Sequence, residues 1–223
     1  MGKGCRCKFE DCTGTLCCCS GDKCFFKSIG NISNIRKEET DMRVIAGSAK
    51  GRKLKTLEGM EVRPTTDKVK EAVFSSIQFD LPGAEVLDLF SGSGQMGIEA
   101  LSRGANHAVF VDRAANSLRV TRENLESLQF LSDASLHQMD ALSFLQSTAA
   151  QFDIAILDPP YRKGILMQVL PLLESKMHPD GIVICEHETG LELPENVGML
   201  CLTKQRKYST ITITTYLCKR EEV

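Results

Sequence analysis

Asp158-Pro159-Pro160-Tyr161 joins an acid, two prolines and an aromatic ring in four consecutive positions. That combination suits one demanding task, which is to make a conjugated amine attack an electrophile. An exocyclic amine on a nucleic-acid base is a weak nucleophile, because its lone pair is delocalised into the ring. Acceptors for its N–H hydrogens let the nitrogen pyramidalise. The Asp158 carboxylate supplies one acceptor and the Pro159 carbonyl a second. Pro159 and Pro160 fix φ at their own positions and restrict the residue before each, so the acceptors are in place before reaction. Tyr161 offers a flat face on which a base can stack. The plain alternative is a rigid proline turn beside a core tyrosine.

Three more acids precede this motif, each expected at the carboxyl end of a strand. Asp88-Leu89-Phe90-Ser91-Gly92-Ser93-Gly94, with Gly97 beyond, reads as a turn whose glycines let backbone approach a ligand. Gly92 to Gly97 formally satisfies G-x-G-x-x-G. The acid ahead of it, however, would repel a pyrophosphate. It suits an ammonium group, such as the amino-acid head of S-adenosyl-L-methionine. A structural glycine turn is the alternative. Asp112, about twenty residues past the turn, can accept from both hydroxyls of a ribose. NAD makes the same demand, and the neighbouring Arg113 leaves an ordinary surface ion pair open. Asp140, with the backbone of Ala141, can accept from an adenine amino group. It is equally a helix N-cap, and the two roles are compatible.

These residues need a scaffold that gathers several strand ends. Periodicity predicts a helix over 67–78, with Val69, Val73, Phe74 and Ile77 on one face. Strands follow over 85–90, 107–111, 134–139, 152–157 and 181–185. Helices over 95–103, 114–128, 141–149 and 163–176 alternate with them. Two closing strands, 199–202 and 210–217, have no helix between them. Ahead of all these, 43–56 reads as a basic β-hairpin or paired loop. The expected fold is α/β, a doubly wound and mostly parallel sheet with an antiparallel edge hairpin. Ligands in such sheets sit at the carboxyl ends of the strands, near the switch point.

The 223 residues, 42% hydrophobic and 25% charged, can build one sizeable core with a small appendage. No apolar run is long enough to span a membrane and no secretory signal opens the chain, so a cytoplasmic address is expected. The net charge of −2 conceals an uneven distribution. From Arg43 to Lys70 there are eight Lys or Arg against three acids, and Lys204, Arg206 and Lys207 form a second basic knot. Such patches suit a polyanion, although a solvated charged face is the bland reading.

Seven of the ten cysteines lie in the first 24 residues, with no histidine before His107 and no Cys-x-x-Cys pair. Zinc spacing is therefore absent and no metal is expected, with a four-thiolate site left as the alternative. Residues 1–41 read unlike the rest. Met42 could itself initiate, and Lys37-Glu38-Glu39 needs purine-rich codons of the kind found in a bacterial ribosome-binding sequence. The expectation is a misassigned start or a dispensable tail over 1–41, a basic hairpin and helix over 42–82, and a ligand-binding domain over 83–223.

The order DLFSGSG (88–94), Asp112, Asp140 and DPPY (158–161) resembles the Rossmann-like class I methyltransferases that act on amino groups. Further segments narrow the resemblance: MRVIAGSAKGRKLKT (42–56), RPTTD (63–67), GIEALSRGA (97–105) and the tail around Lys207-Tyr208. Together they are similar to the RsmD-type 16S ribosomal RNA guanine-N2 methyltransferases over essentially all of 42–223. Two departures stand out. The family more often has a Glu near Asp112, and a Gly where Ser209 follows Tyr208.

The resemblance implies S-adenosyl-L-methionine as cofactor. Asp88, Phe90, Ser91, Gly92 and Gly94 would line its methionine end, Asp112 and Arg113 its ribose, and Asp140 and Ala141 its adenine. The 63–66 segment, with Thr65, would close over cofactor and substrate. Asp158, Pro159, Pro160 and Tyr161 would form the target-amine site. Arg43, Lys50, Arg52, Lys53, Arg63, Arg206 and Lys207 are the expected contacts to 16S rRNA, either free or within an assembling small subunit, with a monomer sufficient. An amino-methyltransferase of another RNA or DNA base, at adenine N6 or cytosine N4, is the runner-up, but a DNA enzyme would usually need a recognition domain. A dinucleotide-dependent dehydrogenase has no use for DPPY. A non-catalytic RNA-binding module leaves the acids at successive strand ends unexplained.

Overall fold

The computed structural model describes residues 42–57, 67–161 and 164–219. The expected lid residues Arg63 and Thr65 and the whole of 1–41 lie outside them, so the expectations placed there are not addressed by the fold.

Helix α1 (Asp67–Ser76) leads into β1 (Glu85–Asp88), α2 (Gln95–Ser102), β2 (His107–Asp112) and α3 (Ala115–Leu128). Then come β3 (Ala134–Gln138), α4 (Ala141–Ser147), β4 (Phe152–Leu157) and α5 (Ile165–Leu173). The chain closes with β5 (Met177–Glu188), β6 (Asn196–Val197), β7 (Leu200–Tyr208) and β8 (Ile211–Cys218). One eight-stranded sheet results, in the order β3-β2-β1-β4-β5-β8-β7-β6. Strands β1 to β5 pair in parallel, whereas β8 runs antiparallel to β5 and β7. The order reverses between β1 and β4, which makes their carboxyl ends the switch point.

Alternation along the strands divides the core into two faces. Val86, Phe110, Ile154, Ile156, Ile184 and Ile213 pack beneath α1, α2 and α3, while Leu87, Val111, Leu157 and Cys185 pack beneath α4 and α5. Gly97 is required by close approach: a Cβ there would lie 2.3 Å from the Phe110 ring. Both faces are apolar because helices cover both, as a parallel sheet demands.

The expected hairpin over 43–56 is a paired loop with a single antiparallel bridge, Arg43 to Lys53. It is anchored on α2. Glu99, fully buried, accepts from the amides of Ile45 (2.7 Å) and Ala46 (3.0 Å) and from Arg103 Nε (2.8 Å). The Lys70 ammonium, also buried, donates to the Arg43 carbonyl at 2.6 Å and lies 3.9 Å from Glu99. Gly47, at φ 83°, packs so tightly on α2 that a Cβ would sit 1.7 Å from the Ser102 carbonyl oxygen. Much of the basic stretch is thus structural. Besides Lys70, Arg43 pairs with Asp67, Arg52 donates to the Ser127 carbonyl, and Lys55 pairs with Glu123.

Helices α1, α4 and α5 end at Ser76, Ser147 and Leu173, short of the expected 78, 149 and 176, and the other differences include the strand edges. Strand β5 runs to Glu188 rather than stopping at Cys185, because β8 pairs with it as far as Glu188–Ile211. Strand β7 extends through the charged run to Tyr208, paired with Ile211. Ser209 adopts φ 56° at the first of the two residues joining β7 to β8. Glycine is favoured at that hairpin position because it meets no Cβ penalty there.

Candidate active site

Asp88, Asp112 and Glu186 all point to the α1–α3 face. Each continues the parity of the buried residues below it on its strand: Val86, Phe110 and Ile184. Asp158 follows the same parity after Ile154 and Ile156, one residue past the last paired partners Leu157 and Cys185. Four carboxyls from four neighbouring strands therefore gather at one end of the sheet, on one side.

Asp88 is almost wholly buried, and its Oδ2 accepts from the Gly97 amide in the first turn of α2 at 2.9 Å. Burial pushes its pKa up to about 7, against the lowering effect of that hydrogen bond and with a small push from Asp112. Asp112 ties the glycine turn to the end of β2, accepting from Gly92 N at 3.0 Å and Ala114 N at 2.8 Å. Thr121 donates to the Gly92 carbonyl, and Gly94 at φ 80° leaves a Cβ only 2.7 Å from the Thr121 methyl. The turn is held from both sides.

Two details mark it as a ligand cradle. The Ser91 hydroxyl, 5% exposed, has no hydrogen-bond partner among the described residues, a costly state unless something else satisfies it. Gly92, at φ 53°, faces open space where a Cβ would stand. A small ligand with polar groups at its end fits that arrangement, as the amino-acid head of S-adenosylmethionine would. Phe90 is half-buried beside the turn, and Arg113 is exposed. Asp140 caps α4: Ser143 donates to it from both amide and hydroxyl, which holds its carboxyl below the usual range. Asp140 thus fills the capping role expected of it. Ala141 is buried just inside that helix.

At the fourth strand end, burial raises the Asp158 carboxyl well above the ordinary carboxylate range, with Glu186 and then Asp88 pushing the same way. The Tyr161 hydroxyl donates to Glu186 Oε1 at 2.9 Å. Glu186, 6% exposed, joins this cluster although the sequence did not single it out. Its one signal was an acid set directly after the apolar run of β5. The basic residues divide by face. Arg206 pairs across from Ile213 and Lys207 from Thr212, so the two point to opposite sides of β7. Lys50 and Lys53 are exposed on the anchored loop.

The buried Asp88 makes stability depend on pH. An acid whose folded pKa exceeds its unfolded value adds stability below about pH 4, and this is lost as pH rises toward 7. At about 1.4 kcal/mol per tenfold change in proton affinity, the loss is at most roughly 4 kcal/mol. The buried His187 resists protonation and works in the opposite sense. Urea titrations of wild type and Asp88→Asn at several pH values should therefore show the variant's relative stability growing from pH 4 to 7.5. A constant difference would mean that Asp88 ionises normally.

The sheet order, the glycine turn after β1 and the acids at successive strand ends define a Rossmann-like class I methyltransferase fold. The chain belongs to the family described as Conserved hypothetical protein 95, whose profile matches residues 42–217. This is the family of the small-subunit ribosomal RNA methyltransferase D proteins. The Bacillus subtilis YlbH protein is 42% identical over 180 residues, covering 78% of this chain and 98% of that one. The Haemophilus influenzae ribosomal RNA small subunit methyltransferase D is 35% identical over 167 residues, covering 72% and 86%. The solved structure of Escherichia coli yhhF superimposes with a TM-score of 0.73 at 30% identity, covering 80% of this chain and 98% of that one.

Proposed function

We propose that this chain transfers a methyl group from S-adenosyl-L-methionine to the exocyclic N2 amine of a guanine in small-subunit ribosomal RNA. The observation that carries the reading is Asp158, set by the double proline among the gathered strand ends and one strand away from the glycine turn. The family membership and the name of the Haemophilus relative support the RNA substrate. The bound donor supplies a methyl group on a sulfonium, a leaving group that needs no protonation.

The chain's own residues do the rest. The turn at Ser91–Gly92 receives the donor's amino-acid end, Asp112 the ribose, and the end of β3 at Asp140 and Ala141 the adenine. Tyr161, steadied by Glu186, stacks against the guanine. Asp158 and the Pro159 carbonyl would accept the two N–H groups of the target amine and free its lone pair from the ring for attack on the donor's methyl group. The carbon–sulfur bond breaks as the carbon–nitrogen bond forms, and the surplus amine proton is lost to Asp158 or to solvent. Positioning and fixed acceptors account for the rate enhancement. The exposed cations of the anchored loop, with the 63–66 segment, meet the RNA backbone.

The test is incubation of the protein with labelled donor and unmodified small-subunit RNA or particles, followed by nucleoside analysis. N2-methylguanosine is the expected product. Label on adenine N6 or cytosine N4 would move the assignment to another base, and no transfer to any RNA would refute it.

A further inference from the structure

Strand register links the carboxylate site to a second feature that the proposed chemistry leaves unused. Asp158 comes alongside Glu186; Glu186 pairs across from Ile213 on β8, and Ile213 from Arg206 on β7. These four side chains form one row on one face. The last two enter a shallow groove between α1 and the β7–β8 hairpin. Val73 and Ile213 make its buried floor, Tyr208 a half-buried aromatic wall, and Ser76, Lys204 and Arg206 its exposed polar rim. No carboxylate among the described residues lines it. Among the described residues, neither Lys204 nor Arg206 is held in an ion pair.

We propose that this groove is a subsite for a single-stranded RNA nucleotide flanking the methylated one, its phosphate on Lys204 and Arg206 and its base against Tyr208. The proposal rests on the RNA-methyltransferase reading and extends it. Single-stranded RNA is favoured by a cationic track interleaved with an aromatic face, which is how proteins hold such strands without reading a duplex. Distance agrees. Arg206 stands two strand spacings from Glu186, about 10 Å, so a strand leaving Tyr161 would enter the groove without turning back. The alternation of β7 keeps Lys204, Arg206 and Tyr208 on this face and sends Lys207 to the other. Lys207 is therefore a built-in comparison for charge alone.

The experiment titrates the full chain and its Lys204→Gln/Arg206→Gln variant with a fluorescent single-stranded RNA of about twelve nucleotides, at several salt concentrations. Methylation of an unmodified small-subunit RNA transcript is measured in parallel. The double variant should bind RNA roughly tenfold more weakly at low salt. Two lost phosphate contacts should reduce the slope of log affinity against log salt by about 1.4. KM for the transcript should rise, while the single-turnover rate at saturating RNA and the affinity for S-adenosylmethionine stay unchanged. Lys207→Glu should weaken binding far less.

Unchanged RNA affinity and slope in the double variant would overturn the proposal. So would an equal loss in Lys207→Glu, which would show a diffuse field rather than a subsite. A defect seen only with assembled particles would assign the groove to a ribosomal protein and overturn it as well. Should the double variant fail to fold, the single variants Lys204→Gln and Arg206→Gln carry the same test with half the slope change. Absence of any methyl transfer by the wild type would refute the enzymatic reading instead, leaving the RNA titration to judge the groove.

Discussion

Replacing Asp158 with Ala should lower methyl transfer roughly 10²–10³-fold, the cost expected for deleting one preorganised group at the reacting centre. Binding of S-adenosylmethionine should stay within a few-fold of wild type, because the glycine turn and Asp112 remain intact. The loss should fall on the single-turnover rate with saturating donor and RNA, since the acceptor matters most once the amine begins to pyramidalise. The pH dependence carries independent information. Only the carboxylate form can take hydrogen bonds from the amine with full strength, and burial beside Glu186 and Asp88 holds Asp158 protonated to unusually high pH. Wild-type turnover should therefore rise with pH beyond the range in which an ordinary carboxyl titrates. Because the two neighbouring acids interact, the rise belongs to the pair and not to Asp158 alone. Asp158→Asn keeps an acceptor oxygen without the titration, so it should retain more activity than Ala and show a flatter acid limb. A nearly active Asp158→Ala would remove the basis for the assignment.

Glu99→Ala should be the most damaging substitution for stability, at about 3–5 kcal/mol. The variant leaves the Ile45 and Ala46 amides without their acceptor and removes the countercharge beside the buried Lys70. Burial already holds the Lys70 ammonium below its ordinary pKa, and loss of Glu99 removes the largest influence opposing that shift. At about 2–4 °C per kcal/mol for a chain of this size, the thermal midpoint should fall by roughly 6–20 °C. The segment 42–57 should lose protection first in hydrogen exchange, because its anchor is the group removed. Arg119→Ala offers the contrast: it breaks an exposed pair with Glu123 and should cost under about 1 kcal/mol. Similar small effects for both variants would show that the loop is held by apolar packing rather than by Glu99.

Much of the scaffold was legible because each repeated unit carries its own local signal. The apolar runs at 85–90 and 152–157, each set between turn residues, could only be strands buried on both faces. The helical periods between them then forced a doubly wound sheet. The boundaries that failed are those where pairing, not composition, decides. Lys204-Gln205-Arg206-Lys207 reads as a basic knot, yet it is strand, because β8 on its flank satisfies its backbone. The same strand prolongs β5 through Glu186, so the acid that holds Tyr161 was invisible beyond an expected end at Cys185.

Charge misled for a related reason. A count of cations from Arg43 to Lys70 cannot tell a solvated lysine from one whose ammonium is sealed beneath a paired loop. Only the fold separates Lys50, which reaches solvent, from Lys70, which does not. Residue order alone specified the alternation of strands and helices, and with it the carboxyl-end placement of Asp88, Asp112, Asp140 and Asp158. Both follow from local period and from chirality acting on each βαβ unit in turn. Tertiary structure alone decided which strand became whose neighbour. That choice set Glu186 beside Asp158, put Arg206 and Lys207 on opposite faces, and sank Glu99 into the core. Those outcomes depend on contacts between segments far apart in the chain, where the free energy of burial is shared and no short stretch of residues encodes it.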